Sequence, residues 1–132
     1  MVAIVPTLPI INPIRIYRIN GQYCKVHNAP KELTVGNDRL LVAAVTGYVH
    51  RIMGVSGCAN GGAATAGSFH VKDGAGTLLI ASLVVPPFAA GGNVILPFIE
   101  SGYEEGAVSQ GLYADVGTQD VSINLQWISY IP

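Results

Sequence analysis

From residue 22 onward, short runs rich in β-branched and aromatic residues recur between turn signals, and none of them follows a helical period. Such a chain is confined to β architectures. The runs extend from Gln22 to His27, Glu32 to Val35, Arg39 to Thr46, Tyr48 to Val55, Ser68 to Lys72, Thr77 to Val85, Asn93 to Pro97, Val108 to Ala114 and Asp120 to Tyr130. The residues between them explain the breaks. Gly36-Asn37-Asp38 and Asp73-Gly74-Ala75-Gly76 tolerate positive φ, Pro86-Pro87 and Gly91-Gly92 stop strands, and the small residues from Cys58 to Gly67 predict a loop. The Asp73 turn joins two adjacent runs and predicts a hairpin, and Gly54-Val55-Ser56-Gly57-Cys58 predicts a turn.

The last run alternates most clearly. Val121, Ile123, Leu125 and Trp127 point to one face and Ser122, Asn124 and Gln126 to the other, so one face is core and the other wet. Leu40 to Val45 and Leu78 to Ala81 are apolar on both faces, which predicts burial by a second sheet and by a neighbouring subunit. The expectation is an all-β chain: a two-sheet antiparallel β-sandwich of jelly-roll type over residues 21–132, with an extended N-terminal arm over residues 1–20. Within the arm, prolines at 6, 9 and 13 fix φ and remove backbone donors. Ile14 and Ile16 would face one way, Arg15 and Tyr17 the other. So apolar an arm needs a surface to lie on, either its own domain or another subunit.

At 132 residues one domain is the default. Only 11% of residues are charged, against about 25% in ordinary soluble domains, so the surface is poor in ions. The 50% apolar content excludes disorder, 16 glycines without a period exclude collagen, and two cysteines are too few for a disulfide scaffold. A formal net charge of -1 disfavours nucleic acid as a partner. The apolar stretch from Thr77 to Ala90 is broken by Pro86 and Pro87 and falls short of the roughly 20 residues of a membrane span. No basic leader precedes the N-terminal apolar residues, so synthesis in the cytoplasm, no membrane partner, and reduced thiols at Cys24 and Cys58 are expected. Residues 1–72 hold all seven Lys and Arg against Glu32 and Asp38, while residues 73–132 hold six carboxylates and no base. Either the halves compensate within one subunit, or the acidic stretch Glu100, Glu104 and Glu105 meets Arg15 and Arg18 of a neighbour.

No pattern here predicts catalysis or a cofactor. His27, His50 and His70 lack the H-x-H spacing of cupin metal sites, His70 shares a strand face with Lys72, and neither cysteine has a CxxC partner. The elbow motif G-x-S-x-G fails at Cys58, and Glu104 and Glu105 in an extended segment would point apart. Gly74-Ala75-Gly76 lacks the third glycine and the helix of a dinucleotide site. Tyr103 is the aromatic best placed for partner contact, whereas Trp127 falls on a core face.

The order LLVAAVTGYVHRIMGVS (40–56), FHVKDGAGTLL (69–79), GGNVILPFIESGYEEGAVSQGLYADVG (91–117) and VSINLQWISYI (121–131) resembles small structural proteins of tailed-phage virions. Gly91-Gly92-Asn93-Val94-Ile95-Leu96-Pro97 carries the nearest local match, although Phe98 and Tyr103 replace the aromatic expected after the proline. The resemblance implies a non-enzymatic capsid decoration or cement protein, or a head-fibre or tail-fibre domain, commonly a homotrimer on the virion surface with the major capsid protein as partner. On that reading Ile10, Ile11, Ile14, Arg15, Ile16, Tyr17, Arg18 and Ile19 form a capsid-docking arm. Leu40, Leu41, Val42, Val45, Leu83, Val84 and Val85 are buried between subunits. The alternative is a receptor- or carbohydrate-binding module of a fibre, with Tyr103, Glu104 and Glu105 in its recognition loop; a degenerate cupin-like enzyme with a histidine site comes third.

Overall fold

The alternating run at the C-terminus becomes the central strand of a sheet. In a computed structural model, which describes residues 16–60, 65–86 and 93–132, the chain is all β. Its strands are β1 (Ile16–Ile19), β2 (Gln22–Lys25), β3 (His27–Leu33), β4 (Gly36–Val42), β5 (Val49–Ala59), β6 (Gly67–Asp73), β7 (Leu78–Val85), β8 (Val94–Leu96), β9 (Leu112–Gly117) and β10 (Val121–Tyr130). One sheet has the order β3-β10-β5-β8, the other β4-β9-β6-β7, and β1-β2 forms a separate hairpin. Every pairing is antiparallel.

The two larger sheets share one apolar core. Leu33, Ile52, Val55, Val121, Ile123 and Leu125 enter it from the first, and Leu41, Val42, Phe69, Val71, Val85 and Leu112 are among those entering from the second. Phe69 is 1% exposed, and a Cβ built on Gly57 would lie 3.0 Å from its ring. Gly54 is similarly close to the Phe98 backbone, 3.2 Å. These contacts correct the turn expected over Gly54 to Cys58. The glycines there make room for neighbours packed above and below a strand, and β5 runs unbroken through them to Ala59.

β10 shows why the outer face of its sheet changes character. Ser122, Asn124 and Gln126 face out and are half-buried, but the same side then carries Ile128 and Tyr130, both buried. A second, smaller core explains the switch: Ile128 and Tyr130 join Val49, Met53 and Cys24 beneath Ile19, Val26 and Phe98. Met53 reaches it through a register shift, because Gln126 pairs with Gly54 while Trp127 pairs with Ile52. The β1-β2 hairpin is thus a cover for this end of the sheet. Asn20 and Gly21 take φ of 50° and 76° at its tip, the left-handed pair that a two-residue hairpin demands.

Several boundaries differ from expectation, each for a local reason. β3 starts at His27 and runs through Pro30, which an edge strand tolerates because its outer side needs no ladder donor. Gly36 to Asp38 does adopt positive φ at both ends, but as an irregularity inside β4, with Asp38 at 56°. Residues 108 and 109 form a turn, and the expected strand from Val108 is displaced to Leu112–Gly117. The Asp73 hairpin is present as β6-β7. The division at residue 20 falls in the β1-β2 turn, and residues 16–19 lie as a strand over their own domain, one of the two surfaces expected for the arm. Within β1, Tyr17 and Ile19 turn inward and Ile16 is 60% exposed, so Ile16 and Tyr17 face opposite ways.

Candidate assembly surface

β7 and β8 are each an edge strand of their sheet, and among the described residues the sandwich is open between them. Leu79, Ile80, Ala81, Ser82 and Leu83 from β7, Leu96 from β8, and Tyr103 with Glu104 line a groove of about 310 Å3 there. Its rims are apolar. Leu78 is 55% exposed, Val84 67% and Ile95 59%; the first two face out from the sheet of β7 and Ile95 from the sheet of β8, on either side of the groove.

The segment after β8 completes the groove by clasping β5. The Ile99 N–H donates to the Met53 carbonyl (3.0 Å), Tyr103 N–H to Ile52 O (2.8 Å), Ile52 N–H to Glu104 O (2.9 Å) and Gly106 N–H to His50 O (3.0 Å). The Tyr103 hydroxyl donates to the Pro97 carbonyl. Beyond it, Arg51 Nε and Nη2 reach Glu105 Oε2 at 3.1 and 3.0 Å, and the Tyr130 hydroxyl donates to the same oxygen. Burial, together with that carboxylate, pushes the Tyr130 hydroxyl above its usual range, which keeps it a donor. Of the three loop residues expected to recognise a partner, Glu104 alone has no side-chain partner among the described residues. The Tyr103 hydroxyl and the Glu105 carboxylate are engaged by their own chain.

The expected subunit contacts divide in two. Leu41, Val42 and Val85 are 3%, 8% and 0% exposed, so their assignment between subunits is corrected: they fill the chain's own core. Leu40, Val45 and Val84 are exposed, and Leu83 is half-buried in the groove wall. β4 and β7 are opposite edges of one sheet, which separates Leu40 from Val84. The structure instead brings Leu83 together with Tyr103 and Glu104. Leu78 and Ile95 were legible only through register: Leu78 pairs with outward-facing Lys72, and Ile95 with half-buried Ser56 on the outer face. Of the docking arm, Ile16, Tyr17, Arg18 and Ile19 lie in β1, where Tyr17 packs on Phe98 at 6.0 Å and Arg18 lies 5.6 Å over the Tyr23 ring. Ile10, Ile11, Ile14 and Arg15, like Gly91 and Gly92, lie outside the described residues.

Two bases of the first half of the chain, Arg51 and Lys72, pair with carboxylates of the second half, Glu105 and Asp115. Lys72 Nζ contacts Asp38 Oδ1 at 2.7 Å and Asp115 Oδ2 at 3.0 Å, and His70 Nε2 contacts the same Asp115 oxygen at 2.8 Å. Burial alone would raise the Asp115 pKa, but the Asp38 N–H, Lys72 and His70 hold it below the ordinary carboxylate value. The three histidines are dispersed. His27 stacks on Trp127, with centroids 5.1 Å apart, and among the described residues no group of three His, Cys, Asp or Glu could hold a metal. Cys24 is buried and Cys58 half-buried, both as free thiols.

His50 is 1% exposed and sits between Ala43 and Ser129. A carbonyl can only accept, so Nε2 donates to Ala43 O (2.9 Å) and neutral Nδ1 accepts from the Ser129 hydroxyl (2.7 Å). Burial lowers its pKa below the ordinary 6.5, against a smaller opposing effect of the Ala43 carbonyl. A depressed folded value means that its contribution is full above pH 6.5 and is lost as pH falls through the folded pKa. We therefore expect the urea midpoint to fall below pH 6.5. The His50→Gln variant, itself about 2 kcal/mol less stable at pH 7, should show a shallower decline in the same titration.

No family model matches the chain, and no curated protein does. Among solved structures, a chain of the acidic stable capsid structure of Helicobacter pylori bacteriophage KHP30 is similar, with a TM-score of 0.48 and 12% identity over 80% of this chain and 86% of that one.

Proposed function

We propose that this chain is a non-enzymatic structural protein of a virion: a jelly-roll homo-oligomer, commonly three copies, that binds the assembled capsid from outside as a cement or decoration protein. The observation that carries the reading is the apolar edge at Leu78, Val84 and Ile95 on a chain with only 11% charged residues. Such an edge calls for a protein surface against it. The nested pairing β3 with β10, β4 with β9, β5 with β8 and β6 with β7 supports the jelly-roll reading, since it is one long hairpin folded across two sheets. The sequence resemblance to phage virion proteins supports the setting.

Magnitudes favour a closed ring on a scaffold over a simple pair. Completing the burial of three half-exposed aliphatic side chains contributes roughly 1 kcal/mol each, which is small beside the several kcal/mol lost in association. Leu40 and Val84 on opposite edges suit head-to-tail contacts, in which every subunit uses both edges and the ring closes. Simultaneous attachment to several capsid subunits then multiplies a weak contact, and binding to the shell but not to its dissociated parts stabilises the shell by mass action.

The test is cosedimentation with assembled shells and with dissociated capsid subunits. Binding to shells alone is expected, and equal binding to free subunits overturns the mechanism. The double variant Leu78→Asp/Ile95→Asp should abolish self-association while changing folding stability by less than about 1 kcal/mol, because both side chains face solvent.

A further inference from the structure

We propose that the edge of β7 that no described strand pairs receives residues 7–14 of a neighbouring copy as an added strand. Thr7 to Ile14, TLPIINPI, carries its prolines at 9 and 13. In an extended chain the N–H and C=O groups of alternate residues point to the same edge. Both missing donors therefore fall on one edge, and Leu8, Ile10, Asn12 and Ile14 keep a full set of donors and acceptors on the other. That is the pattern of a segment able to pair on one side and blocked on the opposite side, and Pro6, of the other parity, ends it.

β7 is the edge that fits. It has eight residues, as does the segment, and contains no proline and no residue of positive φ, whereas β3 holds Pro30, β8 has three residues and β4 holds Asp38 at a φ of 56°. A strand laid there places its aliphatic side chains over the groove, against Leu83, Leu96 and Tyr103. Arg15 follows the segment directly, and Glu104 at the groove has no side-chain partner among the described residues. The donor is a second copy because of where the segment joins the fold. β1 begins at Ile16 and packs with Phe98 over the outer face of the sheet containing β10, while β7 belongs to the other sheet.

The test needs no virion, so it stands or fails apart from the proposed function. In full-length chains carrying Cys58→Ser, a tagged Asn12→Cys chain is mixed with an untagged Ser82→Cys chain, and oxidised glutathione supplies the oxidant that joins the two thiols. We expect a disulfide between tagged and untagged chains, formed at least tenfold faster than with Ser122→Cys on the other sheet's outer face. Adding Ile10→Asp or Glu104→Lys should slow it at least fivefold with the far-ultraviolet circular dichroism unchanged. Equal rates at positions 82 and 122 overturn the proposal. So does an Asn12→Cys/Ser82→Cys double variant that closes within a single chain when diluted.

Discussion

Asp73→Ala is expected to lower folding stability by about 3 kcal/mol at pH 7. The carboxylate is 2% exposed and holds three backbone donors: Ala75 N–H and Thr77 N–H on Oδ1, at 3.0 and 2.9 Å, and Ala107 N–H on Oδ2, at 3.0 Å. One side chain thereby fixes the β6-β7 turn and ties it to the segment leading into β9. Alanine leaves all three donors without their acceptor, and water can reach only some of them, which keeps the cost below three full charge-assisted bonds. Asp73→Asn should cost less, about 2 kcal/mol, since one of its two positions then presents a donor to another donor. The pH dependence separates charge from shape. Burial would raise the Asp73 pKa, but the N–H groups of Ala107, Thr77, Ala75 and Gly76 hold it below the ordinary 3.8. The carboxylate's contribution is therefore complete above pH 3.8 and is lost as pH falls through the lower folded value, so the gap between the native chain and Asp73→Asn should narrow in acid. Urea midpoints measured from pH 7 down to 3 provide the check, and a gap independent of pH would contradict the account.

Phe69→Ala is expected to cost 3–5 kcal/mol, roughly the range found for fully buried aromatics. The ring fills the space over Gly57, so the two positions act as one unit. A Cβ on Gly57 would lie 3.0 Å from Phe69 Cε1 and 3.2 Å from Ile123 Cγ2, and Gly57→Ala should cost about 1–2 kcal/mol through overpacking. In Phe69→Leu that penalty should fall by at least half, a coupling readable from a double-mutant cycle of denaturant midpoints. Additive effects would show that Gly57 is not required by this packing.

The same pair shows why some of the fold was legible in sequence and some was not. Alternation along Val121 to Trp127 exposed the core face because each inward residue is aliphatic or aromatic, and the Asp73 turn announced its hairpin through residues that only turns favour. Gly54 and Gly57 misled because glycine is ambiguous: it marks a turn by its freedom or a strand by its lack of a side chain, and only the position of Phe69 and Phe98 decides which. Pro30 misled similarly, since a proline excludes a central strand but not an edge. The Asn20-Gly21 hairpin was missed, although its dipeptide favours a two-residue turn. The second core was missed too, although Ile128 and Tyr130 continue the parity of Ser122 and Gln126 and an apolar pair on an otherwise wet face needs a cover.

The assembly surface was harder to see. Runs apolar on both faces pointed to subunit contacts, but whether a given residue faces the chain's own core or its outside depends on register and on irregularities of the ladder. Leu41 and Val42 went inward, while Leu40 stayed out. Leu78 and Ile95 each look like core residues in isolation, and the pairing with Lys72 and Ser56 turns them outward. The ties of Glu105 were not legible because its partners, Arg51 and Tyr130, are distant in sequence.

The account rests on the statement that this edge is covered by protein in the working state. Sedimentation velocity combined with native mass measurement on the full-length chain tests it directly. A closed oligomer, three copies of the 13.8 kDa chain, is predicted, dissociating to single chains in Leu78→Asp/Ile95→Asp. A stable single chain at working concentration, with no affinity for assembled shells, would contradict it.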